Sequence, residues 1–135
     1  MELQANWRYK TLENLEKDYW GDPTFNSYLV VRTHELRKIP LNAFTIEDLR
    51  INIGQNFSLD YLMPLAIEEL QKNLFADGDY YEGDLLQAVL KINSEFWINN
   101  RPYWVQIHEL ISELLSELDS KRIEYKGFMS LKLNM

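Results

Sequence analysis

Apolar residues recur at three- and four-residue steps along most of the chain, the spacing of one buried helix face. Leu12, Leu15 and Tyr19 follow Thr11, which with Asn14 half fits a capping box, and Gly21, Asp22 and Pro23 end that element. Ser27 is positioned to cap a helix over SYLVVRTHELRK, although the run YLVV reads equally as a short strand, and Pro40 closes the unit. Thr45 with Asp48 opens a capped helix over TIEDLRINIGQN that puts Ile46, Leu49 and Ile53 on one face. In SLDYLMPLAIEELQKN an uninterrupted helix would carry Pro64 inside it at a cost of about 3 kcal/mol, so a turn over Leu59 to Leu62 is expected. A new helix then starts with Pro64 in its first turn and Leu65, Ile67 and Leu70 inward.

Asp84 stands before LLQAVLKINSEFW and is expected to initiate a helix whose stripe is Leu85, Leu86, Val89, Leu90 and Phe96. A long last helix from Pro102 turns Trp104, Ile107, Ile111, Leu114, Leu115 and Leu118 inward, and Glu109, Glu113 and Glu117 outward. Its tail, RIEYKGFMSLKLNM, alternates only weakly and fits a frayed end, an extended arm or an edge strand. The expectation is an all-α fold, one compact domain over residues 1–135 with about six to eight helices and, as one alternative, a short extended C-terminal arm.

Composition agrees with a folded domain. A chain of 135 residues, 46% hydrophobic and 26% charged, has the make-up of a soluble globular protein. No apolar run approaches the roughly 18 residues of a membrane span, and MELQANWRYK lacks a signal-peptide layout, so a cytoplasmic protein is expected. The absence of cysteine excludes disulfides, thiolate metal sites and cysteine nucleophiles.

Charge changes the picture more. Of a formal net −7, the window from Leu74 to Ser120 holds nine acids against two bases, Lys91 and Arg101, while the rest holds twelve of each. The chain therefore reads as a neutral body with an acidic flank. That disfavours nucleic acid as a direct partner and favours a basic one, although an acidic surface also serves solubility alone.

Four carboxylates and two tyrosines crowd FADGDYYEGD at residues 75–84. A calcium loop starting at Asp77 would place Tyr81 at position 5, Glu82 at the glycine position and Ala88 at the glutamate position, so that pattern fails. A looser magnesium site from Asp77 and Asp79 stays open. His34 and His108 lie in no metal-binding or triad motif, and no phosphate loop, GxSxG or HExxH occurs. No enzyme activity, cofactor or metal is expected. Tyr80 and Tyr81 suit an interface, since tyrosine joins apolar area to a hydroxyl, or else one ring staples the loop to the next helix. Glu109, Glu113 and Glu117 repel one another by a few tenths of a kcal/mol per pair on a continuous helix, so they do not stabilise it.

The run PLNAFTIEDLRINIGQNFSLDYLMPLAIEEL, then GDYYEGDLLQAVL and FW, resembles the small immunity proteins of bacterial contact-dependent growth inhibition (CDI) systems, the CdiI type. The resemblance covers about Leu12 to Trp104. Its most specific pieces are Glu47, Asp48, Leu49 and Arg50 with Gln55, then Pro64, Leu65 and Ala66, and Glu82, Gly83, Asp84, Leu85 and Leu86. It implies a cytosolic protein that binds the C-terminal toxin domain of a cognate CDI effector and protects the cell producing it. Joined to the charge window, it leads to the expectation of a basic toxin, a nuclease, caught by an acidic inhibitor that performs no chemistry and touches neither nucleic acid nor membrane. The expected toxin contacts are Asp77, Asp79, Tyr80, Tyr81 and Glu82, with Glu109, Glu113 and Glu117 as a second patch. Arg50, Gln55, Pro64, Gly83 and Asp84 are expected to hold the scaffold. A divalent-metal hydrolase built on the 77–84 carboxylates and a helical interaction scaffold are the competing readings.

Overall fold

The computed structural model describes residue 3 and residues 5–134. Nine α-helices lie among the described residues: α1 Leu12–Glu16, α2 Tyr28–Leu36, α3 Ile46–Gly54, α4 Leu59–Lys72, α5 Asp84–Leu90, α6 Ser94–Asn99, α7 Arg101–Ile111, α8 Leu115–Ser120 and α9 Lys126–Ser130. Short 3-10 turns precede α1 and α3, and no strand occurs among the described residues. The fold is all-α, as the periodicity predicts.

Side-chain caps start the early helices. The Asn14 N–H donates to Thr11 and the Val30 N–H to Ser27, so YLVV is helix rather than strand. At α3 both halves of a capping box form: the Asp48 N–H donates to Thr45 Oγ1 (3.1 Å), and the Thr45 N–H to Asp48 Oδ2 (3.0 Å).

The break expected before Pro64 does not occur; α4 runs through it. Leu59, Leu62 and Met63 before the proline and Leu65, Ala66, Ile67 and Leu70 after it are all buried. Each of the leucine, isoleucine and methionine side chains contributes about 1.5–3 kcal/mol by leaving water, which together outweighs about 3 kcal/mol for the proline. The missing donor would have served the carbonyl of Asp60, an exposed residue near the helix start, where water can replace it.

The last helix is also not continuous. Residues 112–114 interrupt it, closed by the Ser112 N–H on the His108 carbonyl and the Leu114 N–H on that of Ile111. The interruption takes Glu109, Glu113 and Glu117 off one regular i,i+4 ladder and leaves Ile111 and Leu118 both fully buried. The tail, in turn, is neither arm nor strand. It forms α9, whose Phe128 stacks on Trp104 (5.1 Å) and meets the edge of Trp97 (5.2 Å) while its carbonyl accepts from Trp104 Nε1 (3.0 Å). An aromatic slot thus overrides the weak local pattern of 121–135. The helix expected over LLQAVLKINSEFW is broken too: it stops at Leu90, and the Asn93 side chain, accepting from the Phe96 N–H, starts a separate α6, so this break, the split at 112–114 and the added α9 give nine helices among the described residues where about six to eight are expected.

Helix α3 lies between α4 and α5, and this three-helix layer supplies Leu49, Ile53, Leu62, Met63, Leu85, Leu86 and Val89 to the core. The loop between α4 and α5, which carries FADGDYYEGD, is therefore laid against the first turns of α3.

Candidate functional site

Two buried carboxylates organise that loop. Asp84 is the first residue of α5 and only 3% exposed, but its side chain does not cap its own helix. It turns back and accepts from the backbone N–H groups of Gly78 (2.7 Å), Tyr80 (3.1 Å) and Tyr81 (3.4 Å). Gly83 takes the N-cap position with φ +90°, a conformation that favours glycine, and a Cβ there would stand 2.7 Å from Ile123 Cδ1. Glu47, buried in the first turn of α3, accepts the Asp79 N–H (3.2 Å) and binds Arg50 through two nitrogens, Nε (2.5 Å) and Nη2 (2.8 Å). The Glu47 hydrogen bond is the main reason that the Arg50 guanidinium is held above its ordinary pKa, against the opposing effect of burial.

Arg50 Nε is also 3.7 Å from Asp84 Oδ2, and its guanidinium carbon is 4.4 Å from the Tyr80 ring centre. One cation thus balances two carboxylates and supports a tyrosine. Gly78 is part of the same arrangement, since a Cβ there would lie 2.5 Å from Glu47 Oε1 and 3.1 Å from the Glu47 backbone. Arg50 and Glu47, three residues apart in the stretch IEDLR, form an ion pair.

Above this node the loop presents its remaining groups to solvent. Tyr80 is 71% exposed and Tyr81 50% exposed. Asp77, Asp79 and Glu82 are exposed as well. Lys121 binds Glu82 (2.7 Å) and lies over the Phe75 ring (4.8 Å), so the end of α8 buttresses the loop from the far side. No cation among the described residues pairs with Asp77 or Asp79.

The second expected patch is spread over three segments. Glu109 lies on α7, Glu113 in the connecting turn and Glu117 on α8, all exposed and without a cationic partner among the described residues. Lys121, the C-cap of α8, binds Glu82, whereas Glu117 makes no ion pair among the described residues. Of the other motif residues, Gln55 is the exposed C-cap of α3, where backbone bonds to Asn52 and Ile53 close the turn, and Pro64 sits within α4.

The two histidines are taken up by the fold. His34 Nδ1 donates to the Val30 carbonyl (2.8 Å), and His108 stacks on Trp104 (4.8 Å). No group of three or more Asp, Glu or His among the described residues is arranged to hold a metal ion. No described helix is long and apolar enough to cross a membrane.

Sequence reasoning overlooked Glu47, Gly78 and Lys121 as parts of this site. Glu47 and Gly78 are 31 residues apart, and only the packing of the loop on α3 joins them. Phe25 and Tyr28, on either side of the Ser27 cap, are exposed as well.

A sequence family described as CDI immunity proteins matches residues 14–107, well over half of the chain. No curated protein matches it. The chain belongs to the CDI immunity protein family, and its role is one of immunity.

Proposed function

We propose that this member of the CDI immunity family neutralises the C-terminal toxin domain of its cognate effector, in the cytosol of the producing cell, by covering a cationic working surface. The toxin is a basic nuclease, and the chain takes the place of its nucleic acid without binding nucleic acid itself.

One observation carries this reading: the acidic surplus is not internally neutralised. Of the nine acids between Leu74 and Ser120, Asp77, Asp79, Glu95, Glu109, Glu113, Glu117 and Asp119 have no cationic partner among the described residues; only Glu82 and Asp84 do. Such charge speeds encounter with a basic protein by orders of magnitude at low salt. Tyr80 and Tyr81 then supply rigid apolar area with few rotors, which slows dissociation. The loop that carries them is fixed beforehand by Asp84 and Glu47, so binding does not have to order it. A hydrolase on these carboxylates draws no support. Of the 77–84 carboxylates Asp84 is taken up by three loop N–H groups, and Asp77 and Asp79 are not grouped with a third ligand that could hold a metal ion among the described residues.

The test is co-expression with the effector C-terminal domain encoded immediately upstream. The chain is expected to rescue growth, and association of the purified pair is expected to slow steeply between low and high salt. Alanine at Asp79, Tyr80 and Glu82 together should weaken the complex by about a hundredfold or more, in line with loss of a central contact cluster. Unchanged affinity would remove the loop from the interface, and failure to rescue would refute the function.

A further inference from the structure

Large apolar side chains are left exposed mainly on two segments. Tyr80 and Tyr81 stand on the acidic loop, and Tyr19, Phe25, Tyr28 and Leu29 stand on the segment that leads into α2. These are six of the eight such side chains among the described residues, with Phe25 69% and Tyr28 61% exposed. The two segments flank the first turn of α3. On one side Glu47 accepts the Asp79 N–H (3.2 Å). On the other, its neighbour Asp48 fastens α2 by accepting from Arg32 Nε (3.0 Å) and Nη2 (3.1 Å). Tyr28 precedes Arg32 by four residues and so lies one turn away on the same face of α2. Thr45, the exposed N-cap of α3, shares Asp48 Oδ2 with Arg32.

The segment before α2 is also tethered from beneath. Arg37 Nη2 donates to the Asp18 carbonyl (2.6 Å), and its guanidinium carbon lies 4.7 Å from the Trp20 ring centre. Trp20 in turn meets His34 (5.1 Å) and Phe57 (5.2 Å) edge-on. Charge suits the same kind of partner as the loop. Residues 18–31 hold two acids, Asp18 and Asp22, and no base, and Arg32 is neutralised by Asp48 and Glu35. Exposed rings with no free cation among them favour arginine and lysine side chains.

Size gives the reason to join the two segments. A stable complex covers roughly 800 Å² and about 20–30 residues on each partner. The acidic loop offers five exposed residues, Asp77, Asp79, Tyr80, Tyr81 and Glu82, and the patch of Glu109, Glu113 and Glu117 adds none of the eight exposed apolar side chains. From this we infer that the toxin interface continues from the acidic loop across the first turn of α3 onto Phe25 and Tyr28, which receive arginine or lysine side chains of the basic toxin domain. The inference rests on the function proposed above and deepens it. The acids of the loop govern encounter, and the rings before α2 govern how long the complex lasts.

Biosensor kinetics with the purified effector C-terminal domain test this. Phe25→Ala with Tyr28→Ala changes no charge, so association and its salt dependence should stay as in the wild type while dissociation becomes about tenfold or more faster. Ile98→Ala is the control, since Ile98 is exposed on α6, whose cap Asn93 lies against Asn56 at the opposite end of α3. Hydroxyl-radical footprinting of the wild-type complex should show Phe25 and Tyr28 protected, and it decides the matter alone if the double variant fails to fold. Unprotected rings, with a double variant that dissociates like Ile98→Ala, would overturn the inference. If alanine at Asp79, Tyr80 and Glu82 still weakens binding in that case, the acidic-loop reading stands. A free chain that dimerises through these rings, with toxin kinetics unaffected by their loss, would assign them to a second copy and overturn the inference as well. A wild-type chain that does not bind the domain would overturn both readings.

Discussion

Replacing Asp84 by asparagine tests whether a buried carboxylate, rather than the loop's own residues, sets the conformation of residues 76–83. The substitution keeps the shape and removes the charge and one acceptor. Two of the three loop bonds to Asp84 fall well within hydrogen-bond range, at 2.7 and 3.1 Å, and the third is marginal at 3.4 Å. A hydrogen bond to a charged group contributes about 1.5–3 kcal/mol, so the two good bonds set an upper bound of about 3–6 kcal/mol. An asparagine oxygen retains one of them, and the released N–H groups of Tyr80 and Tyr81 belong to exposed residues that water can reach. Arg50 keeps its bonds to Glu47 and is not orphaned. The expected loss is therefore about 2–3 kcal/mol at neutral pH. Urea unfolding measures it through the midpoint at constant m-value, and hydrogen exchange of the Gly78, Tyr80 and Tyr81 amides localises it. A loss below about 0.5 kcal/mol with unaltered protection of those amides would refute the reasoning, because the loop would then hold its shape without Asp84.

Phe128→Ala empties the slot between Trp97 and Trp104 and should cost about 3–5 kcal/mol, read by chemical denaturation together with a red shift of tryptophan emission. Burial, and then the charge of Asp60, raise the pKa of the Tyr103 phenol above its ordinary value. Folding therefore holds that proton more tightly than the unfolded chain does. This contribution is complete below about pH 10 and disappears as pH climbs through the raised value, so Tyr103→Phe should lose stability less steeply than wild type above that pH in parallel urea titrations.

Local signals predict the structure where the interaction that decides it is itself local. Thr45 and Asp48 are three residues apart, and their capping box forms as the spacing predicts. Thr11 and Ser27 likewise cap the helices that follow them. Local signals fail where distant residues decide. Pro64 stays helical because the side chains around it are wanted in the core, and the tail folds because Phe128 completes an aromatic slot built by α6 and α7. Asp84 has the look of a helix initiator in sequence, since the N–H groups it serves lie upstream in a loop whose course no local rule fixes. The candidate site was legible as a list of exposed acids and tyrosines. Its internal framework of Glu47, Arg50 and Gly78 depends on one loop meeting one helix across some thirty residues.

The contact of Ile123 and Lys121 with the loop joins two parts of the chain that differ in one respect: the loop lies inside the span matched by the family, residues 14–107, and these two residues lie beyond it. Altering the segment after α8 would tilt Gly83 and Glu82 without touching any residue of FADGDYYEGD. On the function proposed above, such an edit re-aims Tyr80 and Tyr81 toward a different toxin while every residue of the loop stays the same.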